Sequence, residues 1–104
     1  MSALITIVIP TYKRPDSLER LLRSIFKDIG ERQDIAIVVA DNDAAQSARE
    51  TVQRLADAHN RDIIYTVAPN PGVSNARNAG MAKVASRYVL FLDDDMEAAP
   101  NFVE

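Results

Sequence analysis

LITIVIPTYKRPDSLERLLRSIFKDIG at residues 4–30, followed by IAIVVADND at 35–43, fixes the reading of the whole chain. Leu4 to Ile9 is an unbroken, β-branched apolar run, the pattern of a strand buried on both faces, and Pro10 ends it. Asp16 then opens a helix, with Glu19 three residues on completing a capping box. Leu18, Leu21, Leu22, Ile25, Phe26 and Ile29 recur at helical spacing, and Gly30 supplies the stop. Ile35 to Ala40 is a second continuous apolar strand that runs into Asp41-Asn42-Asp43. Two such strands joined by an amphipathic helix form a βαβ unit.

The unit then repeats in kind, though not in sequence. Asp43 and Gln46 form a second capping box before a helix whose inner face is Ala44, Ala48, Val52, Leu55 and Ala56. Ile63 to Val67 is a third strand. Pro69-Asn70-Pro71-Gly72 breaks the chain, and Ser74 caps a third helix from about Asn75 to Ala85. Tyr88 to Leu92 is a fourth strand that ends on Asp93-Asp94-Asp95. The pattern predicts an α/β fold, a Rossmann-like three-layer sandwich. Its parallel four-stranded sheet has the order 3-2-1-4 and helices on both faces. Ligands of such sheets bind outside the carboxyl ends of the strands, where strand order reverses.

Composition narrows the class. The chain has 104 residues, so one small domain fits and two do not. Its apolar fraction of 47% argues against disorder. No apolar run approaches the roughly 20 residues of a membrane span. Without cysteine there are no disulfides or thiolate metal sites, which fits a cytoplasmic protein. All 12 Lys and Arg residues lie before Tyr88, whereas residues 88–104 hold five acids and no base. No basic stripe suits nucleic acid. The acidic knot repels itself unless a cation sits in it.

Three segments carry candidate chemistry. In FLDDDM (91–96) an extended backbone puts Asp93 and Asp95 on one face and Asp94 on the other. That pair is either a hard-oxygen site for Mg²⁺ or Mn²⁺ or a solvated acidic turn. In NPGVSNARNAG (70–80), Gly72 frees the backbone before a helix N-terminus, and Arg77 lies in the first turn. That is an anion site with a guanidinium for phosphate, or an ordinary cap with an arginine paired to a surface acid. Gly80 in mid-helix calls for close packing on the sheet. Asp41 is either a ligand acceptor or a turn residue. Lys13 and Arg14 read as solubilising charges, and the single His59 as structural. GxGxxG, GxxxxGK[ST] and GxSxG are all absent, which removes dinucleotide enzymes, P-loop NTPases and α/β-hydrolases.

Taken together, IVIPTYKRPDSLERLLRSI, IVVADND, NPGVSNARNAG and YVLFLDDDM resemble, in that order, the N-terminal half of family 2 glycosyltransferases of the GT-A fold, enzymes of polysaccharide biosynthesis. The resemblance runs from about Ile5 to Met96. It implies that Pro10, Thr11, Tyr12 and Asp41 line the nucleotide base and ribose. It implies that Arg77 approaches the diphosphate, that Asp93 holds ribose, and that Asp93 and Asp95 hold Mn²⁺ or Mg²⁺. The donor would be a UDP-, GDP- or dTDP-sugar, and the acceptor a saccharide or lipid hydroxyl that attacks the anomeric carbon with inversion, releasing the nucleotide diphosphate. One departure stands out: the family's Gly-Ser-Thr after the second motif is Asp43-Ala44-Ala45 here.

Family members carry the acceptor site and catalytic base beyond the DXD motif. Residues 1–104 are therefore expected to be a nucleotide-sugar-binding N-terminal portion, truncated after that motif, with no catalytic base of its own and no turnover alone. An uncovered fourth strand is expected to favour self-association. Two other classes remain. A DxD phosphotransferase or phosphatase would carry the motif after its first strand, not its fourth. A non-catalytic α/β partner-binding module would show no metal-dependent nucleotide binding.

Overall fold

The computed structural model describes residues 4–92 except 31, 33 and 71. The elements are β1 (Ile5–Thr11), α1 (Pro15–Ile29), β2 (Ile35–Asp41), α2 (Arg49–His59), β3 (Ile64–Val67), α3 (Val73–Met81) and β4 (Tyr88–Phe91). All pairings are parallel and the order is β3-β2-β1-β4, as the strand pattern predicts. β1 and β2 run in register from Ile5↔Ile35 to Thr11↔Asp41. β1 and β4 pair only from Ile5↔Tyr88 to Val8↔Phe91.

Alternation along the strands sorts the two faces. Ile7, Ile9, Ile35, Ile37 and Val39 pack with Leu18, Leu21, Leu22, Ile25 and Phe26 of α1 and with Val52 and Leu55 of α2. Burying each such side chain contributes about 1.5–3 kcal/mol. The opposite face carries α3 and is built from small residues, Ala40, Ala68 and Ala76. Gly80 continues that surface. A Cβ there would lie 2.4 Å from Val8 Cγ1 and 3.6 Å from Ala40 Cβ, which is why no side chain stands at this position.

Three local expectations are corrected. Helix α1 starts at Pro15, whose missing N–H fits the first turn, and has no side-chain cap. Glu19 turns instead to Arg23 (2.9 Å) and to Arg54 of α2 (2.5 Å). Helix α2 starts at Arg49, six residues beyond Asp43. Asp43 makes a tight turn, its side chain accepting from Ala45 N–H (3.0 Å) and its carbonyl from Gln46 N–H (2.8 Å). Helix α3 begins at Val73 and ends at Met81, so Arg77 lies in its second turn, not its first.

Pro10 does not end β1; it pairs with Ala40 inside the strand. The Thr11 carbonyl accepts from β2's end at Asn42, and the Val8 carbonyl accepts from Leu92. Alternation then directs Pro10 toward β4, where its ring has no N–H to continue the ladder. The β1–β4 pairing stops there, at the point where strand order reverses.

Candidate functional site

Loops leaving β1, β2 and β3 gather at one edge of the sheet. Pro10 and Thr11 are buried at the end of β1, and Tyr12 is 53% exposed beside them. Lys13 follows with φ +52, a left-handed conformation that a lysine rarely adopts, and its Nζ stands 5.3 Å from the Tyr12 ring centre. Gln46 in the next loop has φ +59, and Gly72 before α3 has φ +118. Left-handed or otherwise unusual backbone thus occurs in each of the three loops at this edge, while Gly30 and Asn60 adopt positive φ as the C-terminal stops of α1 and α2.

Asp41 is fully buried. Its Oδ1 accepts from Asp43 N–H (3.0 Å), and its Oδ2 from Ala48 N–H (3.1 Å) and the Tyr65 hydroxyl (2.6 Å). The carboxylate therefore organises the loop between β2 and α2 from within. Burial, followed by the bond to Asp41, pushes the Tyr65 hydroxyl above its ordinary value of 10.0. The native state thus keeps this proton at pH values where the unfolded chain releases it. The contribution is complete below about pH 10 and is lost as pH rises beyond that. Urea midpoints are expected to fall more steeply above pH 10 for the parent chain than for Tyr65→Phe. At pH 7 that substitution lowers stability by about 1.5 kcal/mol, the value of a hydrogen bond to a charged group. Parallel pH profiles for the two chains would discard this account.

Asp43 lies next to this cluster. The Ala45 N–H, then the Ser47 hydroxyl and the charge of Lys13, hold its carboxyl below the usual carboxylate range. Sequence reasoning reads Lys13 as a solubilising charge; the structure places it within electrostatic reach of Asp43 at the carboxyl edge of the sheet.

Asn42 ties the edge together. Its backbone N–H donates to the Thr11 carbonyl (2.8 Å). Its side-chain amide donates to the carbonyls of Ala68 and Asn70 (both 2.7 Å) and accepts from Gly72 N–H (3.0 Å). Sequence reasoning passes over this residue. The available signal is an asparagine directly after a strand, a residue type that bonds to loop backbone.

Arg77 is exposed on α3, its guanidinium 5.6 Å from the Phe91 ring centre on β4. That stacking carries its charge across to the strand that leads into the aspartates. Asp93, Asp94 and Asp95 lie outside the described residues. Among the described residues, no group of three or more His, Asp or Glu side chains could hold a metal. No helix among them is long and apolar enough to cross a membrane.

A cavity of about 980 Å³ runs between α2 and the β2–β3 edge, past Arg49, Val52, Ile63 and Tyr65. Its lining includes none of Pro10, Thr11, Tyr12 or Arg77. The loop edge has the convergent polar groups and unusual backbone that specify a ligand, and it is the stronger candidate.

Comparison with known proteins gives a consistent picture. Succinoglycan biosynthesis protein ExoM of Rhizobium meliloti (strain 1021) is 37% identical over 91 residues, 88% of this chain and 29% of that protein. Validoxylamine A glucosyltransferase of Streptomyces hygroscopicus subsp. jinggangensis (strain 5008) is 28% identical over 101 residues, 97% of this chain and 24% of that protein. The chain thus spans less than a third of the length of these relatives. Among solved structures, the mannosyltransferase PcManGT of Pyrobaculum calidifontis, in complex with GDP-Man and Mn²⁺, superposes with a TM-score of 0.81 at 20% identity. It covers 97% of this chain and 30% of that one. S. aureus TarS 1-349 in complex with UDP gives 0.76 at 20% identity, over 88% of this chain and 27% of that one. These likenesses establish a shared α/β fold. The model of the family described as "Glycosyl transferase family 2" matches residues 6–104, and the chain belongs to that family.

Proposed function

We propose that this chain is the donor-binding part of a glycosyltransferase that takes a nucleotide-diphosphate sugar with a divalent cation and transfers the sugar, with inversion, to an acceptor hydroxyl. The observation that carries the reading is the joining of three strand-end loops through Asn42, in a chain of this family, beside the strand that leads to Asp93-Asp94-Asp95. Complexes of similar folds with GDP-Man and Mn²⁺ and with UDP support the ligand class.

In this reading Pro10, Thr11, Tyr12 and the Asp41 loop shape the base and ribose site. Because the Asp41 carboxylate is buried and engaged by three donors, it acts by holding that loop. Asp93 and Asp95 offer carboxylate oxygens, the donor set that suits Mg²⁺ or Mn²⁺, and Asp93 also takes the ribose. The ion, when bound, neutralises charge on the diphosphate. Arg77, steered by Phe91, adds a cation on the same side and stabilises the charge that grows on the leaving group. The family resemblance puts the base that deprotonates the acceptor, and the saccharide or lipid acceptor site itself, beyond the DXD motif. Self-association through β4 fits the same reading, since Tyr88 and Phe91 are exposed along that strand.

Calorimetry tests the donor site. UDP or GDP is expected to bind with Mn²⁺ and at least tenfold more weakly with a chelator. Asp95→Asn should abolish the metal dependence, while Asp94→Asn, which the alternation expected from the sequence separates from Asp93 and Asp95, should change little. Binding that is indifferent to the chelator would refute the metal assignment.

A further inference from the structure

Both N–H donors and the oxygen of the Asn42 side-chain amide are engaged: two donated bonds of 2.7 Å to the carbonyls of Ala68 and Asn70, and one accepted bond of 3.0 Å from Gly72 N–H. An asparagine amide offers two N–H donors on nitrogen and lone pairs on oxygen, and here each side meets its complement. All three partners lie in one segment, between β3 and α3, 26 to 30 positions further along the chain, where the Ala68 N–H also donates to the Asp41 carbonyl (2.8 Å). Gly72, held at φ +118, immediately precedes α3, the helix that carries Arg77. The Asn42 backbone, by contrast, faces the other way and bonds Thr11 at the end of β1. One residue therefore joins two halves of the edge. Its main chain serves the β1 and β2 loops, and its side chain serves the β3–α3 turn.

We propose that Asn42 is a positioning residue that sets the β3–α3 turn, and through it Arg77, against the nucleoside-binding loops, so that its side chain governs recognition of the β-phosphate while leaving the nucleoside half intact. The inference rests on the donor-site reading above. Removing the amide cuts the three bonds to residues 68–72 but retains the backbone bond to Thr11. The loss therefore falls on one half of the ligand. General destabilisation of the domain would instead weaken binding of the whole ligand evenly.

The probes are UMP and UDP, each with Mn²⁺, titrated into the parent chain, Asn42→Ala and Asn42→Asp while amide spectra are recorded. The parent is expected to prefer UDP over UMP by at least tenfold. Asn42→Ala should bind UMP within about twofold of the parent and lose most of the UDP preference. Asn42→Asp keeps the acceptor for Gly72 but turns a carboxylate toward two carbonyl oxygens, and should lose it as well. If the parent binds neither nucleotide, the donor-site reading itself falls, and this inference with it. If the parent binds both and either variant keeps its UDP preference, the inference alone is overturned. Parallel loss of UMP and UDP, or a collapsed amide spectrum in both variants, makes Asn42 a stability residue and also overturns it.

Discussion

Replacing Gly80 with alanine is expected to destabilise the protein, although alanine is the better helix former. In an exposed helix the exchange is worth about 1 kcal/mol in favour of alanine. Here the new Cβ would come within 2.4 Å of Val8 Cγ1, a separation that van der Waals repulsion forbids. Val8 is fully buried on β1, the strand with hydrogen-bonded neighbours on both sides, so it has no free direction in which to retreat. Overpacking of this kind costs about 1–3 kcal/mol, and because Val8 cannot yield we expect the upper part of that range. At roughly 4–8 °C per kcal/mol for a domain near this size, Tm should drop by about 10–20 °C. Val8→Ala removes the atom that clashes, so the double variant Gly80→Ala/Val8→Ala should be more stable than the two single losses summed. A Gly80→Ala chain that melts at or above the parent temperature would show that α3 does not sit this close to the sheet.

The second large effect belongs to Asp41. Asp41→Ala strands two backbone N–H groups, those of Asp43 and Ala48, together with the Tyr65 hydroxyl, all of which now donate to one carboxylate. Each buried donor left without a partner costs about 1–3 kcal/mol, so the three together come to roughly 3–9 kcal/mol. Domains of this size have about 5–15 kcal/mol in total, so most of the stability is at stake. Asp41→Asn should fall between alanine and the parent, since it retains one acceptor oxygen but points an NH₂ at an existing donor. Urea unfolding of the three chains orders them. A loss below about 1 kcal/mol for Asp41→Ala would mean that the loop between β2 and α2 is held by something else.

The sheet was legible in the sequence because its strands are short apolar runs that end in polar loops, and because helices of 3.6-residue period separate them. Parallel pairing follows from that alternation, and the 3-2-1-4 order from placing β1 at the switch point of a doubly wound sheet. Gly80 was legible too, since a glycine in mid-helix demands a reason. The helix starts were not. Asp16 and Glu19 have the spacing of a capping box, yet Pro15 begins the helix one residue earlier, and Glu19 gains more from Arg23 and Arg54. Asp43 and Gln46 have the spacing as well, but the Asp41 carboxylate holds Ala48 N–H and thereby delays α2 to Arg49. Asn42 escaped for the same reason as Tyr65. Their partners lie 24 to 30 residues away in sequence, and only the assembled sheet makes them neighbours.

The central position of β1 also bears on the order in which the sheet can assemble. Ile5 pairs with Ile35 on one side and with Tyr88 on the other, 30 and 83 positions further along the chain. Closing the longer loop costs about 0.9 kcal/mol more in chain entropy. The return is also smaller, because β4 gains four register pairs against β1 where β2 gains seven. The β1–α1–β2 unit can therefore nucleate on local contacts, and β4 docks onto a surface already formed. The strand that leads into the aspartates is thus the last to be secured, and the sheet is complete only once that strand has docked.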